Sequence, residues 1–179
     1  MDLRVAKTKK RITTAFLKLR DKLTPDKIKV KDICHEAMIN KTTFYKHYND
    51  SIDLSNKITK DVIESVVASF PSKDKIFEDP KEYIRGILYA LEVESDKLIV
   101  LFRGNQDALS ARLADRLASV YYDENMTSDS EIRLSFAIGG LLRVVNDYIF
   151  SRKNYDTEIL SECLTKMICS LPESASESV

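Results

Sequence analysis

Apolar residues recur every three or four positions along most of this chain of 179 residues. This is the spacing of one face of an α-helix. The first such stripe consists of Ile12, Ala15, Phe16, Leu19 and Leu23. Pro25 ends it, because proline cannot donate an interior helical hydrogen bond. Gly and Pro number only 4 each, too few for many tight turns and short strands. The sequence therefore predicts an all-α fold of about nine helices.

Composition narrows the class of protein further. The hydrophobic share of 44% and the charged share of 31% are ordinary for a soluble globular chain. No apolar run approaches the roughly 18 residues of a membrane span, and no secretory leader is recognisable. We therefore expect a cytoplasmic protein without a membrane partner. Cys34, Cys163 and Cys169 match neither a disulfide framework nor a zinc motif, so we interpret them as small buried hydrophobes and predict no metal and no cofactor.

Charge is unevenly distributed although the formal net charge is zero. Residues 1–50 hold 13 Lys and Arg against 6 Asp and Glu, and the remainder holds 15 against 22. A basic N-terminal part joined to an acidic remainder indicates a binding surface for a polyanion at one end. The alternative is a solvated basic surface without a ligand.

Residues 30–48 have the pattern of a helix-turn-helix. A short apolar stripe from Val30 to Ala37 is followed by Asn40, whose side chain suits a helix cap. The next helix is predicted from Lys41 to Tyr48, with Phe44 and Tyr48 facing inward. Two helices with so short a turn, after a first helix, are typical of this motif.

The run from Lys29 to Tyr48 resembles the helix-turn-helix of the TetR/AcrR family of regulators, and the resemblance extends over about residues 8–58. Its most specific piece is Thr43-Phe44-Tyr45-Lys46-His47-Tyr48. The resemblance implies a DNA-binding domain over residues 1–50, a helical effector-binding and dimerisation domain over 51–171, and a disordered tail over 172–179. It also implies a homodimeric repressor that an effector releases from a palindromic double-stranded DNA operator.

The resemblance assigns roles to individual side chains. A helix that offers hydroxyls and cations can enter a major groove about 12 Å wide. Lys41, Thr42 and Thr43 are expected to approach bases. Tyr45, Lys46 and His47 are expected to hold the DNA backbone. Further phosphate contacts are expected from Lys29, Lys31, Lys7, Lys9 and Lys10.

Three residues depart from the family pattern. Met38 stands where the family usually has Gly, which predicts either a strained residue, at about 1 kcal/mol, or a reshaped turn. Lys29 replaces the usual Thr cap of the second helix, and Ser51 replaces a common Lys at the start of the fourth. The backbone N–H groups at that start are still expected to bind a phosphate.

The sequence determines the effector and its binding site least. Arg103, Arg143, Asn146 and Asp147 lie near apolar helix faces and are candidates for a ligand site, with satisfied surface or interface polar groups as the alternative. A transcriptional activator or a co-regulator controlled by a partner protein is equally compatible with the sequence. Gly139-Gly140 indicates either close helix approach in a four-helix dimer interface or a local kink.

Other classes of protein are less well supported. His35-Glu36 matches the start of a zinc-protease motif, but Ile39 stands where the second His is required. No glycine-rich phosphate loop is present, so we predict that the protein is not an enzyme. A helical interaction module that does not bind DNA is the remaining alternative.

Overall fold

The structure is a computed structural model. It describes residues 3–71, 78–150 and 155–170, apart from the side chain of Ile168. Within these ranges it contains nine α-helices and no strand, which confirms the predicted all-α fold. They are α1 Leu3–Arg20, α2 Val30–Glu36, α3 Lys41–Tyr45, α4 Ser51–Ala68, α5 Pro80–Val93, α6 Ser95–Phe102, α7 Gln106–Tyr121, α8 Ser128–Phe150 and α9 Thr157–Cys169. A short 3₁₀ helix, Pro25–Lys27, follows α1. The predicted tail, residues 172–179, lies outside the described residues.

The helices group into two compact units. The first unit comprises the chain up to Glu64 together with Asp96–Arg103, and the second comprises Ser65–Ser95 and the described residues from Gly104 onward. Helix α4 therefore begins in the first unit and ends in the second. Helix α6 belongs almost entirely to the first unit, a membership that its own sequence did not indicate.

The first unit is built around apolar faces of α1 to α4. Its fully buried side chains include Ile12, Phe16, Ile33, Phe44 and Leu54. These are the inward positions that the helical spacing predicts, so the stripes of α1, α2 and α3 are confirmed. Contacts of α1 with α2 and of α2 with α3 complete the three-helix arrangement.

Arg20 is a buried cation at the end of α1, with 6% of its surface exposed. Its guanidinium donates hydrogen bonds to the carbonyl oxygens of Leu23 at 3.2 Å, Leu101 at 3.2 Å and Arg103 at 3.1 Å. Arg103 in turn donates to the carbonyl oxygen of Asp21 at 2.7 Å and to its carboxylate at 2.9 Å. The two arginines thus join the end of α6 to the end of α1.

The second unit packs α5 against α9 and α7 against α8. Its core is formed by Ile84, Ile87, Leu88 and Leu91 of α5, Leu109, Leu113 and Leu117 of α7, Leu142, Val145 and Ile149 of α8, and Leu160 and Leu164 of α9. Gly86 of α5 lies against Pro71, and a Cβ added at Gly86 would lie 2.9 Å from the Cδ atom of that ring. This close approach explains a glycine inside a helix, where it otherwise costs stability.

Two helix starts in the second unit test the predicted caps. The run Asp79-Pro80-Lys81-Glu82 has the pattern of a helix start and predicts Asp79 as the cap of α5. The Asp79 carboxylate accepts a hydrogen bond from the Glu82 amide at 3.0 Å, which confirms this cap. The run Ser128-Asp129-Ser130-Glu131 has the pattern of a capping box and predicts Ser128 as the cap of α8, but Ser128 is already helical. The cap is Thr127, whose Oγ1 accepts a hydrogen bond from the Ser130 amide at 3.3 Å. The expected capping box is therefore wrong by one residue.

Helix α9 corrects the expectation for the cysteines. Cys34 is buried as predicted, but Cys163 and Cys169 are exposed. The apolar pattern of α9 covers two neighbouring rows, and the structure buries the row of Leu160 and Leu164. The other row, with Ile159, Cys163 and Met167, is left exposed. Phe136 of α8 is exposed as well, although the helical spacing of its apolar neighbours predicts an inward side chain.

Ion pairs also join α5 to α9. The Lys81 ammonium lies 2.6 Å from the carboxylate of Glu158 and 3.2 Å from that of Glu162. Arg85 pairs with Glu158 as well. Hydrogen bonds from Lys81 and then from Arg85 hold the pKa of the Glu158 carboxyl below its usual value. All these groups are solvent-accessible, so each pair contributes little by itself.

Candidate nucleic-acid interface

The turn between α2 and α3 depends on Met38, which has a φ of 50°. The Met38 amide donates to the carbonyl of His35 at 3.1 Å, and the Ile39 amide donates to that of Cys34 at 3.0 Å, which closes the end of α2. Arg11 of α1 donates to the Met38 carbonyl at 2.8 Å. Of the two expectations for this departure from Gly, a strained Met38 is confirmed, because the turn keeps its left-handed residue.

Asn40 caps α3 as predicted. Its side-chain oxygen accepts a hydrogen bond from the Thr43 amide at 2.7 Å. Helix α3 ends at Tyr45, three residues before the predicted end at Tyr48. The chain tightens there, because the His47 amide donates to the carbonyl of Phe44, three residues back, at 2.9 Å. Lys46 and His47 therefore lie in the turn that follows the helix.

Two aromatic residues fix the orientation of α3. Phe44 is fully buried and Tyr48 is 7% exposed, with ring centroids 5.7 Å apart. The Lys57 ammonium lies 5.4 Å from the centre of the Tyr48 ring, a cation–π contact. Burial raises the pKa of Tyr48, which keeps the phenol neutral. The predicted inward positions are confirmed, and the opposite side of α3 is left to the surface.

That surface carries the residues predicted for base and backbone contacts. Lys41, Thr42, Tyr45 and Lys46 are exposed, whereas Thr43 and His47 are half-buried. These six residues thus lie together on one short segment, positions 41–47, in which Phe44 is the buried residue. Their roles toward DNA stay predictions.

The remaining predicted cations lie on α1 and α2. Lys29 and Lys31 are exposed at the start of α2, and Lys9 is exposed on α1. Lys7 and Lys10 share a surface groove of about 410 Å³ with Met38. The groove also contains Arg11 and Glu36, so it is predominantly basic.

The start of α4 differs from the expectation of a phosphate site. The Asp50 carboxylate accepts a hydrogen bond from the Asp53 amide at 2.7 Å, and the Asp53 carboxylate accepts one from the Asn49 amide at 2.8 Å. The Asn49 hydrogen bond and the neighbouring Lys57 hold the pKa of Asp53 below its usual value. Two carboxylates therefore occupy this helix start, which disfavours an anion. The spacing of Asp50 and Asp53 is a capping-box pattern that sequence reasoning missed.

The four residues proposed for an effector site are divided between the two units. Arg103 belongs to the first unit and pairs with Asp21. In the second unit, Arg143 lies 3.6 Å from Asp147, and Asn146 donates to the Ser110 hydroxyl at 3.0 Å. Their role as ligand contacts stays a prediction.

Among the residues that the structure describes, no group of three or more His, Cys, Asp or Glu side chains is arranged to hold a metal ion. No helix in those ranges is both long and apolar enough to cross a membrane.

The described residues form two helical units, the first with a helix-turn-helix, and solved structures of transcriptional regulators share this fold. A TetR transcriptional regulator from Streptococcus agalactiae 2603V matches with a TM-score of 0.61 and 22% identity over 92% of this chain and 95% of that chain. The dihydroxyacetone kinase operon activator DhaS matches with a TM-score of 0.59 and 16% identity, covering 91% and 94%. The fatty acid degradation regulator FadR from Bacillus halodurans matches with a TM-score of 0.56 and 14% identity, covering 94% and 96%. The fold that the resemblance implies is therefore confirmed. No protein-family model matches the chain, and no curated protein is significantly similar to it.

Proposed function

We propose that the protein is a homodimeric, sequence-specific DNA-binding regulator of transcription. The observation that carries the proposal is the exposed face of α3. Asn40 caps the helix, Phe44 and Tyr48 hold it in the core, and hydroxyls and cations remain on its surface. Hydroxyls can hydrogen-bond to base edges, and cations release condensed counterions from phosphates. No comparable set of groups suggests catalysis in the described part of the chain.

The test is selection of bound duplexes from a random pool. Two recognition helices related by a two-fold axis reach the same side of DNA about one helical turn apart, so the enriched site should be a near-palindrome. Affinity for that site should fall steeply with salt concentration. A selection that enriches no palindrome would refute the proposal.

Single substitutions separate base contacts from phosphate contacts. Thr42→Ala or Thr43→Ala should change which sequences are preferred. Lys46→Ala should weaken all sequences about equally and reduce the slope of log affinity against log salt by about one. Arg112→Ala, which removes an exposed cation from α7, is the control for net charge. It should change neither the sequence preference nor the salt slope. A Lys46 variant with altered preference and an unchanged salt slope would mean that α3 is oriented differently.

The proposed dimer rests on apolar groups exposed on α8 and α9. On α8, Ile132 is 69% and Phe136 is 74% exposed, and nothing lies within 4 Å of a Cβ added at Gly139 or Gly140. On α9 the exposed row is Ile159, Cys163 and Met167. Exposed apolar rows of this kind are typical of interaction surfaces, and glycines permit close approach of a second helix. Pairing α8 and α9 with their mates would cover both rows.

Substitution of the two glycines tests the dimer. Leu at positions 139 and 140 would hold the paired helices apart, so the molecular mass by sedimentation should fall toward that of a monomer on dilution. Ala111→Leu, at an exposed position of α7, is the matched control. A double variant that stays dimeric at the same dilution would contradict the interface.

We also propose that an effector controls DNA binding through α4. This helix begins six residues after the end of α3 and continues into the second unit. To change DNA occupancy from almost full to almost empty, the effector must bind the released state about 10⁴-fold more tightly. By linkage, a compound that weakens DNA binding by some factor must bind free protein more tightly than the complex by that factor. Calorimetry with equal affinities for both forms would exclude that compound as an effector.

Repression is the form of control that the resemblance implies. DhaS, one of the structurally similar proteins, is an operon activator, which supports activation as the second candidate. A reporter gene placed behind the selected site distinguishes the two, because deletion of a repressor raises expression and deletion of an activator lowers it.

A further inference from the structure

The surface groove of about 410 Å³ in the first unit has an apolar floor and a cationic rim. Ala15 of α1 and Ala37 at the end of α2 form the floor, and each is 3% exposed. Lys7 and Lys10 lie on one side of the groove and Met38 on the other. The volume falls within the roughly 300–1,000 Å³ of small-molecule pockets. A ligand with an apolar body and acidic groups would match both the floor and the rim.

The charges around the groove favour an anion. Lys7 and Lys10 are exposed, and neither ammonium pairs with a carboxylate among the residues that the structure describes. Arg11 adds a third cation, which donates a hydrogen bond to an uncharged backbone carbonyl at 2.8 Å. Glu36 also lines the groove, but the Lys18 ammonium lies 2.5 Å from its carboxylate, and this hydrogen bond holds the pKa of the carboxyl below its usual value. The negative charge of Glu36 is therefore balanced, and the groove keeps a positive excess.

Met38 determines which apolar body fits. Its φ of 50° is a conformation that glycine adopts at lower cost. The side chain is 80% exposed, so packing within the fold offsets little of that cost. Backbone strain of this kind is concentrated at functional sites, and the exposed thioether is free to contact a ligand. Because methionine sulfur makes favourable contacts with aromatic rings, the groove favours an aromatic ligand over an aliphatic one.

The spacing of the two lysines determines where the acidic groups lie. Lys7 and Lys10 are three residues apart on α1, so they project from the same side of the helix. We propose that the groove binds an aromatic dicarboxylate whose two carboxylates lie on the same edge of the ring. The carboxylates pair with Lys7 and Lys10, and the ring contacts the Met38 thioether. Isophthalate is the simplest compound with this arrangement.

Such a ligand would act on DNA binding within the first unit. Lys7 and Lys10 are among the cations predicted to contact DNA phosphates, so a bound dicarboxylate and a phosphate would compete for the same ammonium groups. DNA should therefore weaken binding of the ligand by the factor by which the ligand weakens binding of DNA. This consequence rests on the proposed function, whereas binding of the dicarboxylate does not.

The test is titration of the full-length protein with isophthalate, followed by NMR of ¹³C-labelled methionine methyl groups. Low salt is required because exposed ion pairs are screened. The chain contains 4 Met, and the signal lost in Met38→Leu assigns the Met38 resonance. The ring current of the bound ligand should shift this signal saturably. The signal of Met167, which is exposed on α9, should not move.

Two related dianions test the shape of the ligand by displacement of isophthalate. Glutarate has the same three-carbon spacing between its carboxylates but no ring, so it should bind about threefold more weakly. Terephthalate has the same ring, but its carboxylates lie on opposite edges and only one can reach α1. It should bind about two- to fivefold more weakly than isophthalate.

Variants assign the contacts. Lys7→Gln or Lys10→Gln should weaken isophthalate binding about two- to fivefold and remove its advantage over terephthalate. Lys9→Gln, at an exposed position of the same helix outside the groove, is the matched control and should change neither. Met38→Gly, followed through the amide signals of α1, should remove the advantage of isophthalate over glutarate. Glycine suits the backbone conformation at this position, so the variant should keep the fold.

The outcomes separate this proposal from the regulator function. A Met38 signal that does not shift, or equal losses of affinity in Lys9→Gln and Lys10→Gln, would overturn the dicarboxylate site. A Lys10→Gln variant that loses DNA affinity but binds isophthalate as before would overturn it as well. If a duplex is selected but isophthalate does not bind, the site fails and the DNA-binding function stands. If isophthalate binds with the expected preferences and no duplex is selected, the site stands and the DNA-binding function fails.

Discussion

Replacement of Met38 by Gly should stabilise the helix-turn-helix relative to replacement by Ala. Met38 has a φ of 50°, a left-handed conformation that costs a residue with a Cβ about 1–2 kcal/mol. The side chain is 80% exposed, so its removal forfeits little packing. Both hydrogen bonds that hold the turn at this position use backbone atoms, the Met38 amide and the Met38 carbonyl, and both survive either substitution.

The pair of variants isolates the backbone contribution. Both lose the same exposed side chain, but only Gly relieves the left-handed strain. Glycine reduces this gain in stability by about 0.5–1 kcal/mol, because the unfolded chain has more conformational freedom at a glycine. The Gly variant should therefore have a free energy of unfolding about 0.5–1 kcal/mol greater than the Ala variant. For a chain of this size, that difference corresponds to about 1–4 °C in Tm.

Equilibrium denaturation followed by circular dichroism measures this difference, and hydrogen exchange of the amides near Met38 assigns it to the turn. DNA affinity should be the same for both variants, since neither changes α3 or its cap. A Gly variant that is no more stable than the Ala variant would refute the argument from left-handed strain.

Two further predictions concern charged side chains. Arg20→Gln should lower the free energy of unfolding by about 3 kcal/mol, because three carbonyl oxygens lose a buried cationic donor. Arg103→Gln should lower it by less than about 1 kcal/mol, because the Arg103 side chain is 52% exposed. Equal losses by chemical denaturation would show that the burial of Arg20 does not matter. Glu158 has a folded pKa below its usual value, so its contribution to stability is complete above its unfolded pKa and is lost as the pH falls through the lower folded pKa. Glu158→Gln should therefore reduce the loss of stability between about pH 5 and about pH 2, and an unchanged acid profile would contradict the role of its ion pairs.

Most of the helix-turn-helix, apart from the end of α3, could be predicted from the sequence because its determinants are local. The cap at Asn40, the inward pair Phe44 and Tyr48, and the left-handed residue at Met38 all act within a few positions of the chain. The spacing of apolar residues and the choice of cap therefore carry this information. The same argument explains why the all-α class and the count of helices were correct.

Tertiary structure decided what depends on contacts between distant segments. Two adjacent apolar rows of α9 have the same helical spacing, and only packing against α5 selects Leu160 over Ile159 for burial. The membership of α6 in the first unit depends on Arg20, which lies about 80 positions earlier in the chain than the carbonyls it binds. The residues that line the groove come from α1 and from the end of α2 with its turn, so no local pattern marks it. Local periodicity determines which faces are apolar, and the long-range packing of helices determines which of those faces are buried.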